Sequence, residues 1–392
     1  MSQTQHIYLD NSATTRISSE ALKKYIEVSS SVFGNPSSLH ALGFLAEKEL
    51  NIAREAVLSS IGDRNSTVVF TASGSEANNL AIIGRAFAKD RFRSGAKIIT
   101  TAGEHASVSS PISKLKEMGF KTAEIPTRNG KIDTDTLKKE LTPDVILVSV
   151  MMVNNETGAL YDIREVSDLV RSMCPSAVIH VDATQSYLKV KFTKRSLGVD
   201  MITLSSHKIE GPKGVGALVI DNKIIKARDI APLILGGGQE GGLRSGTENV
   251  PAIAAFAEAV KIGAESIDKN IAKLSGLREY LIERIKSDSA LSEISITEPA
   301  SHAPHILNIT LPGIKSETAL HYLSSLGIYV SSGSACSSNS GHTSTALTAY
   351  GRSTEEADSS IRISFSPKNE ISDIDALCEG LASAIKKLAR KR

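Results

Sequence analysis

Residues 67–87 read TVVFTASGSEANNLAIIGRAF. A short β-branched run gives way to a turn of small residues at Gly74-Ser75-Glu76, and then to a segment with helical periodicity. A strand that feeds directly into a helix leaves the first backbone N–H groups of that helix, around Gly74 and Ser75, facing whatever lies at its start. The same residue types also serve as an ordinary serine helix cap, so this turn alone does not decide between an anion site and a cap.

The pattern repeats along the chain. KIITTA (97–102), VILVSV (145–150), AVIHVDA (177–183), DMITLSS (200–206) and GALVID (216–221) are strand-like, and DIREVSDLVRSMC (162–174) among the segments between them is helical in period. Strands alternating with helices predict an α/β unit with a mostly parallel sheet, whose functional residues gather where strands end. A glycine-rich loop, PLILGGGQEGGLRSGTENVP (232–251), then leads into a long helical stretch. Beyond it, the strand candidates HILNITL, GIYVSS and SIRISFS and the helices ETALHYLSSL and SDIDALCEGLASAIKKLA predict a smaller α+β unit. At 392 residues the chain is longer than one core usually serves. We expect a large domain over 16–255, and a small one built from 1–15 and 256–392.

Lys+Arg 45 against Asp+Glu 43 gives a net charge of +2, which argues against electrostatic capture of nucleic acid or membrane. The N-terminus lacks the basic flank and apolar stretch of a signal peptide, and no apolar run approaches the ~18 residues of a membrane span. A cytoplasmic protein is expected. Cys174, Cys336 and Cys378 are odd in number and widely spaced, so neither a disulfide framework nor a Cys-x-x-Cys metal site is predicted. Cys336 stands in SSGSACSSNSGHTSTAL (331–347), where Ser, Gly and Thr leave little for a buried thiol to pack against.

Two strand ends carry candidate chemistry. Asp182 and Gln185 follow AVIHV, and Ser206, His207 and Lys208 follow DMITLS. A lysine just beyond a core strand, followed by Gly211, Gly214 and Gly216, points to a reactive amine, a solvated surface lysine being the plain alternative. A lysine, a carboxylate and a helix start that can cradle phosphate are the parts of a pyridoxal phosphate site.

In combination and order, YLDNSATT, FGNPSSLH, SGSEANN, GEHASV, VNNETG, HVDATQS, SSHKIEGPKGVGAL, GGGQEGGLRSGTENV and SSGSACSS resemble the cysteine desulfurases of the NifS/IscS type, in the class V aminotransferase group. The resemblance runs from Tyr8 to Ser366. It implies a fold type I PLP-dependent transferase with pyridoxal 5′-phosphate as cofactor. Lys208 would be the Schiff-base lysine and Asp182 the partner of the pyridine nitrogen. His105 would stack on the ring, while Asn155 and Gln185 bond its phenolic oxygen. Gly74, Ser75, Ser205, Ser206 and His207 would form the phosphate cup, completed by Thr247 from a partner subunit. Arg362, with Asn155, would bind the substrate carboxylate, and Cys336 would be the nucleophile that takes sulfur from L-cysteine as a persulfide, leaving L-alanine. His105 would carry protons to and from the thiols.

The resemblance further implies a homodimer and a sulfur acceptor such as an iron–sulfur scaffold or a tRNA-thiolation enzyme. No resident metal is expected, although Cys336 could transiently ligate a cluster. Selenocysteine lyase and a plain aminotransferase of the same fold are the rival activities. Four features depart from the family pattern, one being NSGHTSTAL after Cys336, which differs from the proline-containing version common in the family. Ser75 stands where threonine is common, Glu210 puts an acid near the expected phosphate cup, and the chain closes at LARKR without a longer C-terminal extension.

Overall fold

A computed structural model describes residues 6–89, 95–332 and 344–389. Thirteen strands are described: β1 (Ile7–Tyr8), β2 (Ser66–Thr71), β3 (Lys97–Thr101), β4 (Lys121–Ile125), β5 (Val145–Met151), β6 (Val178–Asp182), β7 (Met201–Ser205), β8 (Gly216–Asp221), β9 (Ser295–Thr297), β10 (Ile306–Thr310), β11 (Ile328–Tyr329), β12 (Ser331–Ser332) and β13 (Ser360–Ser364). Seven of them form one sheet in the order β2-β8-β7-β6-β5-β3-β4. Six run parallel, and only β8 is reversed, pairing antiparallel with both β2 and β7. The inner strands β5, β6 and β7 are almost wholly buried because both faces are covered, as parallel sheets require, whereas the edge strand β4 is largely open.

The reversed strand matters for function. Gly216, its first residue, pairs with Thr71 at the end of β2 and with Ser205 at the end of β7. A Cβ there would stand 2.6 Å from the Ser73 carbonyl carbon and 2.8 Å from the Gly74 nitrogen. Glycine therefore lets the turn of 67–87 close down on the end of β7. The helix that follows, Gly74–Phe87, is capped by Ser73, whose hydroxyl accepts from the Glu76 N–H at 3.1 Å.

A second core surrounds the antiparallel sheet β12-β13-β10-β9, with Leu307, Ile309, Ile361, Ile363 and Phe365 buried. β1 pairs with β11 in this core, so the N-terminus belongs to it, and residues 11–18 then cross to the large sheet. Helix Val250–Glu265 buries its apolar face in the first core, and helix Ile267–Ser287 buries its own in the second. The chain passes between the cores at Ser266, whereas the boundary expected at residue 255 falls inside the first of these helices. Among the described residues no helix is long and apolar enough to cross a membrane.

Candidate active site

The ends of β2, β3, β5, β6 and β7 share one edge of the large sheet, and each releases a polar turn. Asp182, the last residue of β6, is buried, 6% exposed. Its Oδ1 accepts the Thr184 N–H at 2.9 Å and its Oδ2 accepts Asn78 Nδ2 at 2.8 Å. Asn78 also donates to Ser107 Oγ at 2.8 Å, and Ser107 Oγ lies 2.8 Å from His105 Nδ1. The carboxylate and the imidazole are thus joined through two side chains.

His105 caps helix Ala106–Glu117, and its Nδ1 also accepts the Ser107 backbone N–H at 3.1 Å. That acceptor role places the proton of the neutral ring on Nε2. Burial lowers the His105 pKa; Asp182 opposes the shift and Lys208 adds to it. Beneath it, Glu104 is buried and pushed up to about 8 by burial, although Thr101 and the Met151 N–H both donate to its Oε1. Glu104 ties the end of β3 to that of β5. Asn154 makes a second tie, donating to Gly103 O at 3.0 Å and accepting the Glu156 and Thr157 N–H groups, which fixes the turn that presents Asn155.

Lys208 donates to Ser12 O and to Ala13 O, the latter at 2.8 Å. Gln185 Nε2 donates to the same Ser12 carbonyl at 2.9 Å, leaving one of its N–H groups available and a buried Oε1 without a partner among the described residues. His207 Nδ1 lies 3.1 Å from Thr14 Oγ1, and its carbonyl accepts both Thr15 donors. Burial, with Lys208, Lys213 and Lys189 adding to it, pushes this imidazole down to about 4. The crossing segment 12–15 therefore spans the ends of β6 and β7.

At the start of helix Gly74–Phe87, a Cβ on Gly74 would meet Ser205 Cβ at 3.2 Å and Thr184 Oγ1 at 3.3 Å. The Ser205 hydroxyl beside it is buried and has no partner among the described residues. Ser75 is exposed on the first turn. Ser206 turns elsewhere, its hydroxyl lying against Gly211.

Arg362 reaches the same edge from β13 of the second core. Its Nη2 donates to Asp10 Oδ1 at 2.7 Å and its Nη1 to Asn155 O at 3.0 Å, while Nε is buried without a partner among the described residues. Cys336 lies outside the described residues. On one side of residues 333–343, Ser331 pairs with Arg362 across β12 and β13. On the other, Ser344 Oγ donates to Glu156. The two described cysteines, Cys174 and Cys378, are buried, and burial raises both thiols, Cys378 to about 11.

Thr247 is not brought to this cluster by hydrogen bonds among the described residues. It is exposed on the glycine-rich loop. The loop is fastened to its own chain by Glu240, which accepts the Phe70 N–H and Arg54, and by Arg244, which donates to Glu76 at 2.9 Å.

Asn78, Glu104, Asp10 and the Ser12 and Ala13 carbonyls were not anticipated from the sequence. Asn78 had a signal, since it lies four residues after Gly74 and so on the same helix face. The carbonyls had none, because a backbone acceptor is independent of side-chain identity.

Residues 7–377 match the family described as aminotransferase class-V. The chain is 39% identical to a NifS/IcsS protein homolog of Lactobacillus delbrueckii subsp. bulgaricus, over 94% of each chain. It is 36% identical to the cysteine desulfurase IscS of Dictyoglomus turgidum, over 98% of this chain and 95% of the other. A solved NifS-like protein superposes with a TM-score of 0.89 at 32% identity, covering 98% of this chain and 100% of its own.

Proposed function

The chain belongs to the class-V aminotransferase family, and we propose that it is a cysteine desulfurase that holds pyridoxal 5′-phosphate on Lys208, moves the sulfur of L-cysteine to Cys336 and releases L-alanine. The observation that carries this reading is the gathering of Asp182, His105, Lys208 and the Gly74–Ser205 cradle at one sheet edge, with Arg362 arriving from the other core. In this reading the first core carries the cofactor and the second carries the nucleophile.

The residues fit the cofactor. Phosphate suits the helix start at Gly74, where a Cβ would be tight against Ser205 and Thr184 and the Ser205 hydroxyl lacks a partner among the described residues. A buried carboxylate with Asn78 and a backbone N–H on its oxygens suits a protonated ring nitrogen. Gln185 keeps an N–H for the phenolic oxygen. When bound, the pyridoxal ring supplies an electron sink for the pair left by a departing Cα proton.

The protein's own groups do the rest. The Lys208 amine serves as the base at Cα. Arg362 and Asn155 orient the substrate carboxylate, a planar guanidinium being suited to that geometry. His105, neutral and with its exchangeable proton on Nε2, passes protons to and from the sulfur atoms. The Cys336 thiolate attacks the substrate sulfur: an S–S bond forms, the Cβ–S bond breaks, and its electron pair stays with carbon, which takes up a proton on the way to alanine. The persulfide is then discharged to a reductant or to an acceptor, for which an iron–sulfur scaffold or a tRNA-thiolation enzyme is our reading.

A homodimer is part of the proposal. Phe33, Leu39, Phe44 and Leu235 are 70%, 106%, 66% and 79% exposed, large apolar side chains of the kind that a partner subunit would cover. Thr247, exposed on that loop, is then free to meet the partner's phosphate cup.

The test is a mass spectrum after treatment with L-cysteine in the absence of reductant. We expect one added sulfur on the peptide carrying Cys336, and none in Cys336→Ser. Full sulfide release by Cys336→Ser would overturn the nucleophile, and a colourless purified protein would overturn the cofactor.

A further inference from the structure

We propose that a cavity between the two cores, behind Lys208, binds a small aliphatic carboxylate, with its head on Lys189 and its tail against Leu188, Ile209, Ile262 and Phe365. The cavity has a volume of about 230 Å³ and is lined from both cores and by the crossing segment at Thr15 and Ser18. None of Asp182, His105, Gln185, Gly74 or Ser205 lines it, so it is distinct from the cofactor cluster, and Lys208 alone borders both. The inference does not depend on the proposed reaction.

Four observations converge on it. Lys189 lines the cavity, is only 9% exposed, and its amine has no hydrogen-bond partner among the described residues. A buried ammonium without a hydrogen-bond partner is costly, and burial, with Lys208 and Arg362 acting in the same direction and the charge of Glu210 against it, pushes this amine down to about 7. An anion beside it would restore the charge and supply the missing partner.

Leu188 and Glu210 both line the cavity, and both hold left-handed backbone, at φ 56° and 62°. Residues with a Cβ rarely adopt that conformation, and those that do cluster at functional sites. Glu210, the acid out of keeping with the family pattern, faces this cavity. Its carboxylate pairs with Lys368 at 2.6 Å, across the two cores.

That pairing fixes the sign of the ligand. With Glu210 engaged by Lys368, Lys189 is the wall cation whose amine has no hydrogen-bond partner among the described residues. A carboxylate is welcome there, while the ammonium of an amino acid finds no free partner. Ser366 and the amide N–H that Asn270 does not give to Ser266 are donors for the second oxygen, and much of the remaining wall is apolar. A cavity of ~150 Å³ is enough to hold benzene, so this larger one has room for an acid the size of isovalerate.

The test is isothermal titration of the holoenzyme with isovalerate, in the wild type and in Lys189→Met, Ala259→Leu and Arg362→Gln, each checked for an intact melting transition. We expect saturable one-site binding in the wild type and in Arg362→Gln. It should weaken roughly ten- to hundredfold in Lys189→Met, the loss for one charge-assisted hydrogen bond, and vanish in Ala259→Leu, which fills the cavity from its helix. L-Valine should bind at least about tenfold more weakly than isovalerate. Absence of saturable binding in the wild type overturns the proposal. So does binding that is lost in Arg362→Gln but survives both cavity variants, which would place the acid at the substrate site, and so does equal binding of L-valine.

Discussion

The guanidinium of Arg362, on the central strand of the small sheet, rests on the carboxylate of Asp10 at 2.7 Å, and the same side chain donates to the Asn155 carbonyl at 3.0 Å on the other core. Asp10 occupies the N-terminal bridge to Ser364, so the arginine is aimed by the segment that also receives Lys208. Asp10→Ala should therefore leave Arg362 charged but poorly oriented. We expect KM for L-cysteine to rise roughly tenfold, the equivalent of one charge-assisted hydrogen bond, with a smaller change in kcat. Arg362→Ala should raise KM further. Steady-state kinetics decide the matter, and an unchanged KM with a depressed kcat would remove Asp10 from substrate positioning.

Glu104 and His180 act on stability with opposite sign, over pH windows that overlap between 4.5 and 6.5. The carboxyl of Glu104 ionises near 4.5 when unfolded and near 8 in the folded protein because burial opposes its charge. Between those values the unfolded chain holds fewer protons, so stability falls as pH rises, by up to about 5 kcal/mol. His180, enclosed between Ser149 and Thr203, is pushed by burial from 6.5 down to about 4. Between those values the unfolded chain holds more protons, and stability falls as pH drops. Glu104→Gln should abolish the upper slope and leave the acid limb in place, as read by urea denaturation from pH 4 to 9. An unaltered profile in this variant would mean that Glu104 is already ionised in the folded protein.

Much of this was legible in sequence because parallel strands buried on both faces must read as continuous apolar runs, and their ends must then carry the polar turns. Asp182, His105, Gln185 and Lys208 sit at such ends, and the structure joins them through Asn78, Ser107 and Ser12. What could not be read was tertiary. Asp10 meets Arg362 across 352 positions of sequence, and Lys208 meets the Ser12 carbonyl across 196. The position at which the chain leaves the first core, Ser266, was not legible for a related reason. Helix Val250–Glu265 is apolar on nearly every side, so its pattern does not say which core covers it.

Gly216 tests how closely the phosphate cradle depends on packing. Its backbone is not in the left-handed region, so its need for glycine is spatial, arising from the 2.6 Å approach to Ser73 and the 2.8 Å approach to Gly74. Gly216→Ala must push the turn of 67–87 away from the end of β7. Overpacking of this kind costs about 1–3 kcal/mol. We expect a lowered melting temperature together with a roughly tenfold weaker hold on added pyridoxal phosphate, measured by absorbance titration of the apoprotein. A loss of stability with full cofactor affinity would separate the cradle from the turn.

Glu156 stands next to Asn155, and its carboxylate receives the hydroxyl of Ser344, the first described residue after the segment that carries Cys336. Burial pushes this carboxyl up to about 7, with the charge of Arg362 and the Ser344 hydrogen bond holding it lower than burial alone would. Ser344 also caps the helix Thr345–Tyr350, whose Ala346 lies against Gly103, two residues before His105. One root of the segment is thereby registered against the ends of both β3 and β5. Glu156→Ala removes that registration without touching the guanidinium contacts to Asp10 and Asn155. Persulfide formation on Cys336, followed by rapid quench and mass spectrometry, should slow roughly tenfold, which corresponds to about 1.4 kcal/mol in the barrier. L-Cysteine binding, followed by the change in cofactor absorbance, should shift less than about twofold if that contact is made by Arg362, as proposed. If both fall together, Glu156 acts by holding Asn155 and Arg362, and the thiol takes its position from the other root, at Ser331 on the small sheet.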